Sequence, residues 1–279
     1  MNMLYKLNGN SKADVYLIRN EVVDQYKVRK ISSNFNFNER LMSQYKKHLV
    51  FSDNGYNCPK ILDADHVGQL FYYDMEYING SSLSDYIING GNISNQILIQ
   101  ISKFLNSMVK NDENFFYEKH HFINKINQID LNVNVKYKSH YYLNILNYLL
   151  NYSWPLVTKG FAHGDFTLDN IIIKDERIFY IDFDSVSHDS AFMDIVKMMQ
   201  DTRSKWCYRN NKSIEINNLT PQLQTLDNIL VDLLKNNYHE LIPHINAILC
   251  LHLFRIVPYS KNEKDNNFLI SSINKLISA

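Results

Sequence analysis

Apolar residues alternate with polar ones along much of the first eighty positions, and from there on they recur mostly at every third or fourth place. The first pattern predicts strands and the second helices. "MLYKL" and "DVYLI" flank the Gly-containing turn "NGNSKA". "LIRNEVVDQYKVRKIS" reads as a hairpin turning at Arg19-Asn20, with Val22, Tyr26, Val28 and Ile31 as its apolar positions. "NFNERLMSQYKKHLVFSDNG" reads as a helix closed by Gly55, and "PKILDAD" and "QLFYYDMEYI" as two further strands.

After "NGSSLSDYI" the period changes. Residues 93–110, 115–130 and 137–152 fit helices, and "NIIIK" and "IFYIDF" fit short strands around the turn Asp175-Glu176-Arg177. From about residue 190 four more helical segments follow: "SAFMDIVKMMQDTR", "PQLQTLDNILVDLLK", "ELIPHINAILCLHLF" and "NFLISSINKLIS". The pattern is α+β: an N-terminal antiparallel sheet lobe with one helix, residues 1–79, and a larger helical C-terminal lobe, residues 80–279. Clefts between two such lobes are common ligand sites.

Composition narrows the classes. Lys+Arg and Asp+Glu both number 29, and zero formal charge argues against a nucleic-acid binder. No run approaches the ~20 apolar residues of a membrane span, and the first residues carry no signal-peptide pattern. Cys58, Cys207 and Cys250 form no CxxC or metal spacing, as expected of reduced thiols in a cytoplasmic protein. Asparagine is about one residue in eight, so an Asn at a single motif position says little by itself.

The chemistry is concentrated in "FAHGDFTLDNIII", residues 161–173. Asp165 is followed five residues later by Asn170, at the entry to an apolar strand, and twelve residues after that by Asp182 of "IDFD". This is the layout of a phosphoryl-transfer site: His-x-Asp-x-x-x-x-Asn, then an Asp-Phe motif after a hairpin. The spacing has a physical reason. One Asp must reach the attacking hydroxyl, while the Asn and the later Asp supply the oxygen ligands that Mg2+ prefers.

Such a site also needs a strand lysine for the phosphates and a helix carboxylate to position it. "YKVRKIS" offers Lys27 and Lys30, which lie on opposite faces of a strand. Lys30 shares the face of Tyr26 and Val28, and a one-residue slip in register would substitute Lys27. Glu39, the only Glu between residues 22 and 75, is the candidate partner, although a carboxylate in a first helical turn also has the helix dipole as its reason. "MEYI" at the lobe boundary would present the backbone of Glu76 and Ile78 to a purine, because an edge segment leaves N–H and C=O groups unpaired. "NGNSKA" could cover phosphates, with Gly9 as its one glycine.

"HGDFTLDN" followed by "IDFD" resembles the aminoglycoside phosphotransferase/choline kinase superfamily of small-molecule kinases, which share the protein-kinase-like fold. The Gly164 position separates this pattern from the His-Arg-Asp of protein kinases, and no "APE"-like segment is present. The resemblance runs from the first strands to about residue 208. It implies Asp165 as catalytic base, Asn170 and Asp182 as Mg2+ ligands, Lys30 and Glu39 as the phosphate-binding pair, and "MEYI" as the hinge for ATP or GTP. It also implies that Asp194, in "DIVKMMQDTR", braces the catalytic loop. This version resembles uncharacterised phosphotransferases associated with bacterial surface-polysaccharide loci.

The acceptor is expected to be a small-molecule alcohol. Residues 203–279 carry six acidic and nine basic side chains, which leans from a polycation toward a sugar, polyol or sugar acid. Choline, ethanolamine or an aminoglycoside is the alternative acceptor. A nucleotide-binding, pseudokinase-like regulatory protein is the alternative of another class, and the presence of Asp165, Asn170 and Asp182 together speaks against it. The sequence carries no statement of oligomeric state.

Overall fold

The computed structural model describes residues 2–7, 13–20, 25–110, 112–184, 189–211, 219–260 and 262–279. The chain forms two compact units. One holds residues 1–86 and 169–187; the other holds 87–168 and 188–279.

The first unit is built on a five-stranded antiparallel sheet of β1 (Asn2–Leu7), β2 (Ala13–Asn20), β3 (Gln25–Ser32), β4 (Ile61–Val67) and β5 (Leu70–Glu76), in the order β1-β2-β3-β5-β4. Helix α1 (Asn38–Asp53) contributes to the core beside it. Ala13, Val28, Phe71, Tyr73 and Met75 of the sheet bury against Leu41 of α1 and the preceding Phe37. Alternation explains which strand residues do this, since successive side chains of β3 point to opposite faces. The Asn38 side chain fixes where the helix begins: it donates to the Gln69 carbonyl at 2.7 Å and accepts from the Phe71 amide at 3.0 Å.

The β2–β3 hairpin turns later than the sequence pattern suggests. Arg19 and Asn20 are paired strand residues, opposite Tyr26 and Gln25, so the turn does not fall on them. The local polar pair looked like a turn, but register is set by the apolar faces of both strands. Val22 and most of "NGNSKA", including Gly9, lie outside the described residues.

A second sheet in this unit runs β10-β9-β6, from β6 (Ser81–Ser82), β9 (Ile171–Lys174) and β10 (Arg177–Tyr180). Asp175 and Glu176, with φ of 49° and 61°, make a two-residue hairpin turn of the left-handed kind that matches strand twist, and Arg177 already belongs to β10. Gly80 lies directly under β9: a Cβ there would stand 2.3 Å from the Ile173 carbonyl oxygen. Gly80→Ala is therefore expected to destabilise the protein by about 1–3 kcal/mol through overpacking, measurable by chemical denaturation.

The second unit is helical. It contains α3 (Asn95–Val109), α4 (Lys119–Asn132), α5 (His140–Asn151), α6 (Ala191–Thr202), α7 (Thr220–Asn237), α8 (Ile245–Phe254) and α9 (Glu263–Ser278). The short helix α2 (Leu83–Ile88), which the sequence pattern did not indicate, carries the chain into it. The stretch 115–130, expected to be helical throughout, opens as strand β7 (Asp112–Tyr117), paired with β8 (Val157–Gly160). Helix α6 is buried along all twelve of its residues. The helical stretch His239–Tyr259 is long and apolar enough to cross a membrane, but it is interrupted by Pro243 and more than half of its most apolar window is buried in the protein. It reads as core.

Candidate active site

Two groups of side chains emerge, one in each unit. The first is organised by the loop after β8. His163 is fully buried, edge-on to the rings of Phe104 and Phe166. Gly164 has φ of 89°, a left-handed conformation that glycine adopts without steric cost. This is the local reason for the Gly of "HGD". Asp194 of α6 holds the turn from below: one carboxylate oxygen accepts from the His163 amide, the other from the Gly164 amide at 2.9 Å. Asp201, two turns further along α6, accepts from the Leu168 amide at 3.1 Å and from the Cys207 amide at 3.1 Å. The loop backbone is thus fastened at both ends to one helix.

Asp165 sits between these anchors with its side chain 38% exposed. Its Oδ1 lies 3.4 Å from Lys197 Nζ of α6 and 3.4 Å from a guanidinium nitrogen of Arg255, at the C-terminal end of α8. Desolvation pushes the Asp165 carboxyl up. The positive charges of Lys197 and Arg255 outweigh it, and the carboxyl lies below the usual aspartate range. Burial holds Lys197 below the usual lysine range despite Asp165 beside it. Lys197 also donates to Gln200 at 2.9 Å.

Neither Lys197 nor Arg255 was singled out from sequence. For Lys197 a signal existed. Asp194, Lys197 and Asp201 stand at i, i+3 and i+7 of a helix whose remaining positions are mostly apolar, so three charges share one face of a core helix. Buried charges require partners, and partners of that kind mark a site. Arg255 had no comparable signal, because only the fold brings α8 to the loop.

Asp194 supports a stability prediction. Asp194→Ala leaves two amide donors without their acceptor, each costing about 1–3 kcal/mol. A total loss of roughly 2–6 kcal/mol is expected in equilibrium unfolding on the same scale, and Asp194→Asn should recover part of it.

The second group belongs to the sheet unit. Lys30 of β3 is 3% exposed and ion-paired to Asp182. Burial alone would lower its pKa, but the Asp182 charge and the Tyr73 hydroxyl outweigh that and raise it. Lys27 points to the opposite face. There it joins Arg29 in binding the fully buried Asp74, with Arg29 contributing two bonds at 2.7 and 2.8 Å. The two candidate lysines are therefore distinguished, and Lys30 is the one that meets the "IDFD" motif.

Asp182 has φ of 61°, a conformation that costs a non-glycine residue roughly 1–2 kcal/mol. Such strain concentrates at functional positions. Its neighbour Ile181 donates its amide to the Asn170 carbonyl at 3.1 Å, which ties the start of β9 to the end of β10. Asn170 itself is buried, and Asp169 accepts a hydrogen bond from Ser84. Asp184, two residues past Asp182, is gripped by α1: Arg40 at 2.7 Å and Gln44 at 3.1 Å on its carboxylate, Lys47 at 2.7 Å on its carbonyl.

Glu39 stands apart from this arrangement. It is exposed in the first turn of α1, and the carboxylate facing Lys30 is Asp182. Glu76 is exposed at the end of β5, its amide donating to the Lys60 carbonyl at 2.8 Å and its carboxylate accepting from the Lys60 amide at 3.4 Å. The Ile78 carbonyl accepts from Gly80 at 2.9 Å.

Among the described residues no three His, Cys, Asp or Glu side chains converge on a metal position. Asn170 carries an amide oxygen and Asp182 a carboxylate, the oxygen donor types that suit Mg2+. One carboxylate and one amide oxygen suffice when phosphate oxygens and water complete the octahedron.

No curated protein matches the sequence significantly. Among solved structures, amicoumacin kinase hAmiN, determined with AMP-PNP, Ca2+ and Ami, superposes with a TM-score of 0.63 at 10% identity, over 99% of this chain and 88% of that one. Choline kinase LicA from Streptococcus pneumoniae gives 0.62 at 12% identity, over 99% and 94%. A putative fructosamine-3-kinase from Haemophilus somnus 129PT gives 0.58 at 14%, over 99% and 91%. At these identities the likeness is one of fold, protein-kinase-like and α+β. A sequence model of the APH phosphotransferase enzyme family matches residues 6–214, well over half of the chain. This chain belongs to that family, within the aminoglycoside phosphotransferase/choline kinase superfamily.

Proposed function

We propose that this protein transfers the γ-phosphoryl group of ATP or GTP to a hydroxyl of a neutral or anionic polyhydroxy small molecule, such as a sugar, polyol or sugar acid. The observation that carries this reading is the ionised Asp165, set on a braced loop with two cations at its carboxylate. Asp165 accepts a hydrogen bond from the acceptor hydroxyl and takes its proton as the oxygen bonds to the γ-phosphorus. The bond from that phosphorus to the β–γ bridging oxygen breaks, and the nucleoside diphosphate leaves. A weakly basic carboxylate suffices, because the transition state is loose and the hydroxyl gives up its proton late.

Lys30 binds the nucleotide phosphates, and Asn170 and Asp182 hold Mg2+, which when bound neutralises charge on the phosphates. The Glu76 carbonyl and the Ile78 amide meet the purine, the Glu76 amide and the Ile78 carbonyl being bonded within the protein. Asp184, held by Arg40, Gln44 and Lys47, positions Asp182. A polycationic aminoglycoside or the quaternary ammonium of choline would approach Asp165 against the charges of Lys197 and Arg255, which disfavours both.

The test is a melting assay with ATP or GTP, with and without Mg2+, followed by nucleotide consumption over a panel of sugars, polyols, sugar acids, aminoglycosides and amino alcohols. Mg2+-dependent stabilisation and turnover with a hydroxylated neutral or anionic compound are expected. Stabilisation without consumption by any acceptor would mark a nucleotide sensor instead, and turnover restricted to amines would overturn the acceptor class.

A further inference from the structure

Among the described residues, Arg255 makes one side-chain hydrogen bond, fewer than a guanidinium can make. Its side chain is 24% exposed. Among the described residues its one carboxylate partner is Asp165, reached by a single N–H at 3.4 Å. Charge-assisted hydrogen bonds of this type ordinarily close to about 2.7–2.9 Å, so the contact is loose. A guanidinium carries five N–H donors in a planar fork.

The surrounding charges are otherwise committed. Lys197, 6% exposed, reaches the same Asp165 oxygen from below and is bonded to Gln200. Asp194 accepts from the His163 and Gly164 amides, and Asp201 from those of Leu168 and Cys207. Lys197 alone gives Asp165 a buried counter-ion. A second cation, partly exposed and loosely paired, is not needed as a buried counter-ion. It is well placed for something that arrives with the acceptor.

We infer that Arg255 is the acceptor-specificity residue, pairing bidentately with an oxyanion, carboxylate or phosphate, on the same molecule whose hydroxyl Asp165 engages. The acceptor is then a hydroxy acid or a phosphorylated polyol in preference to its neutral counterpart. This narrows the acceptor of the function proposed above and rests on that reading. The fork geometry of arginine matches both oxyanions, and replacing it with lysine keeps the charge while losing the two parallel bonds.

The experiment measures binding by calorimetry to the full-length protein, using matched pairs: glycerol and glycerate, glucose and gluconate, galactose and galacturonate, glucose and glucose 6-phosphate. At least one charged member is expected to bind about tenfold or more tightly than its neutral twin, the scale of a hydrogen bond to a charged group. Arg255→Gln should reduce that ratio to near one, Arg255→Lys should leave it intermediate, and neither should change ATP affinity. Carboxylate and phosphate pairs separate the two oxyanion sources. The inference is overturned if no charged member outbinds its twin, if Arg255→Gln weakens both members equally, or if it weakens ATP instead. Charged-acceptor binding that responds to Arg255 without any nucleotide consumption would count against phosphoryl transfer and leave the assignment of Arg255 standing.

Discussion

Asp165→Asn is expected to lower turnover by roughly 10²–10⁴-fold, the usual contribution of a positioned general base, while ATP affinity stays near that of the parent protein. The amide keeps the shape of the side chain but cannot take the hydroxyl proton. It also removes the charge that Lys197 and Arg255 face, so a modest loss of stability should accompany the loss of rate. Steady-state kinetics with the best acceptor, together with nucleotide titration, checks both halves. Full activity in Asp165→Asn would remove this residue from the chemistry. The pH dependence has a defined sign. The folded-state pKa of Asp165 is depressed, so its ionised form, and the stability it contributes, persist above the usual aspartate range and are lost only as pH falls through the lowered value. No acid limb from this group should appear in kcat/KM between neutrality and mild acidity.

Asp182→Asn is expected to abolish the Mg2+-dependent part of ATP binding and to destabilise the protein. Lys30 is buried, and its charge would lose its counter-ion. Breaking a fully buried pair costs about 3–5 kcal/mol. Here the Asp182 side chain is 40% exposed and water can partly substitute, so about 1–3 kcal/mol is the expected loss. The double variant Asp182→Asn with Lys30→Met separates the two effects. Stability should return in part, because no buried charge is left alone, whereas Mg2+-dependent nucleotide binding should not. Melting curves with and without Mg2+ and ATP provide both readouts. If Asp182→Asn bound ATP with undiminished Mg2+ dependence, the metal role of this residue would fail.

Much of the fold was legible because its signals are local. Strand alternation gave the antiparallel sheet, and parity along β3 placed Lys30 and Lys27 on opposite faces before the structure distinguished them. The spacing of Asp165, Asn170 and Asp182 picked out the loop and the hairpin that follows it. What was misread depended on distant partners. The hairpin turn moved past Asn20 because both strands' apolar faces set the register. Glu39 looked like the partner of Lys30, being the sole Glu in range. The carboxylate that meets Lys30 comes from 152 residues later in the chain. The helix dipole alone explains a glutamate in a first helical turn. Arg255 reaches Asp165 across 90 residues, a distance over which periodicity carries no information.

Helix α6 has no face turned to water. An ordinary amphipathic helix can absorb genetic drift on its outer side, where exchanges of charge or size cost little. Here most exchanges change core volume, remove a carboxylate that holds the backbone of the 163–168 loop, or remove the ammonium beside Asp165. The segment can evolve only by steps that conserve volume and charge together, so new specificity would have to be acquired elsewhere, through positions such as the partly exposed Arg255 at the C-terminal end of α8.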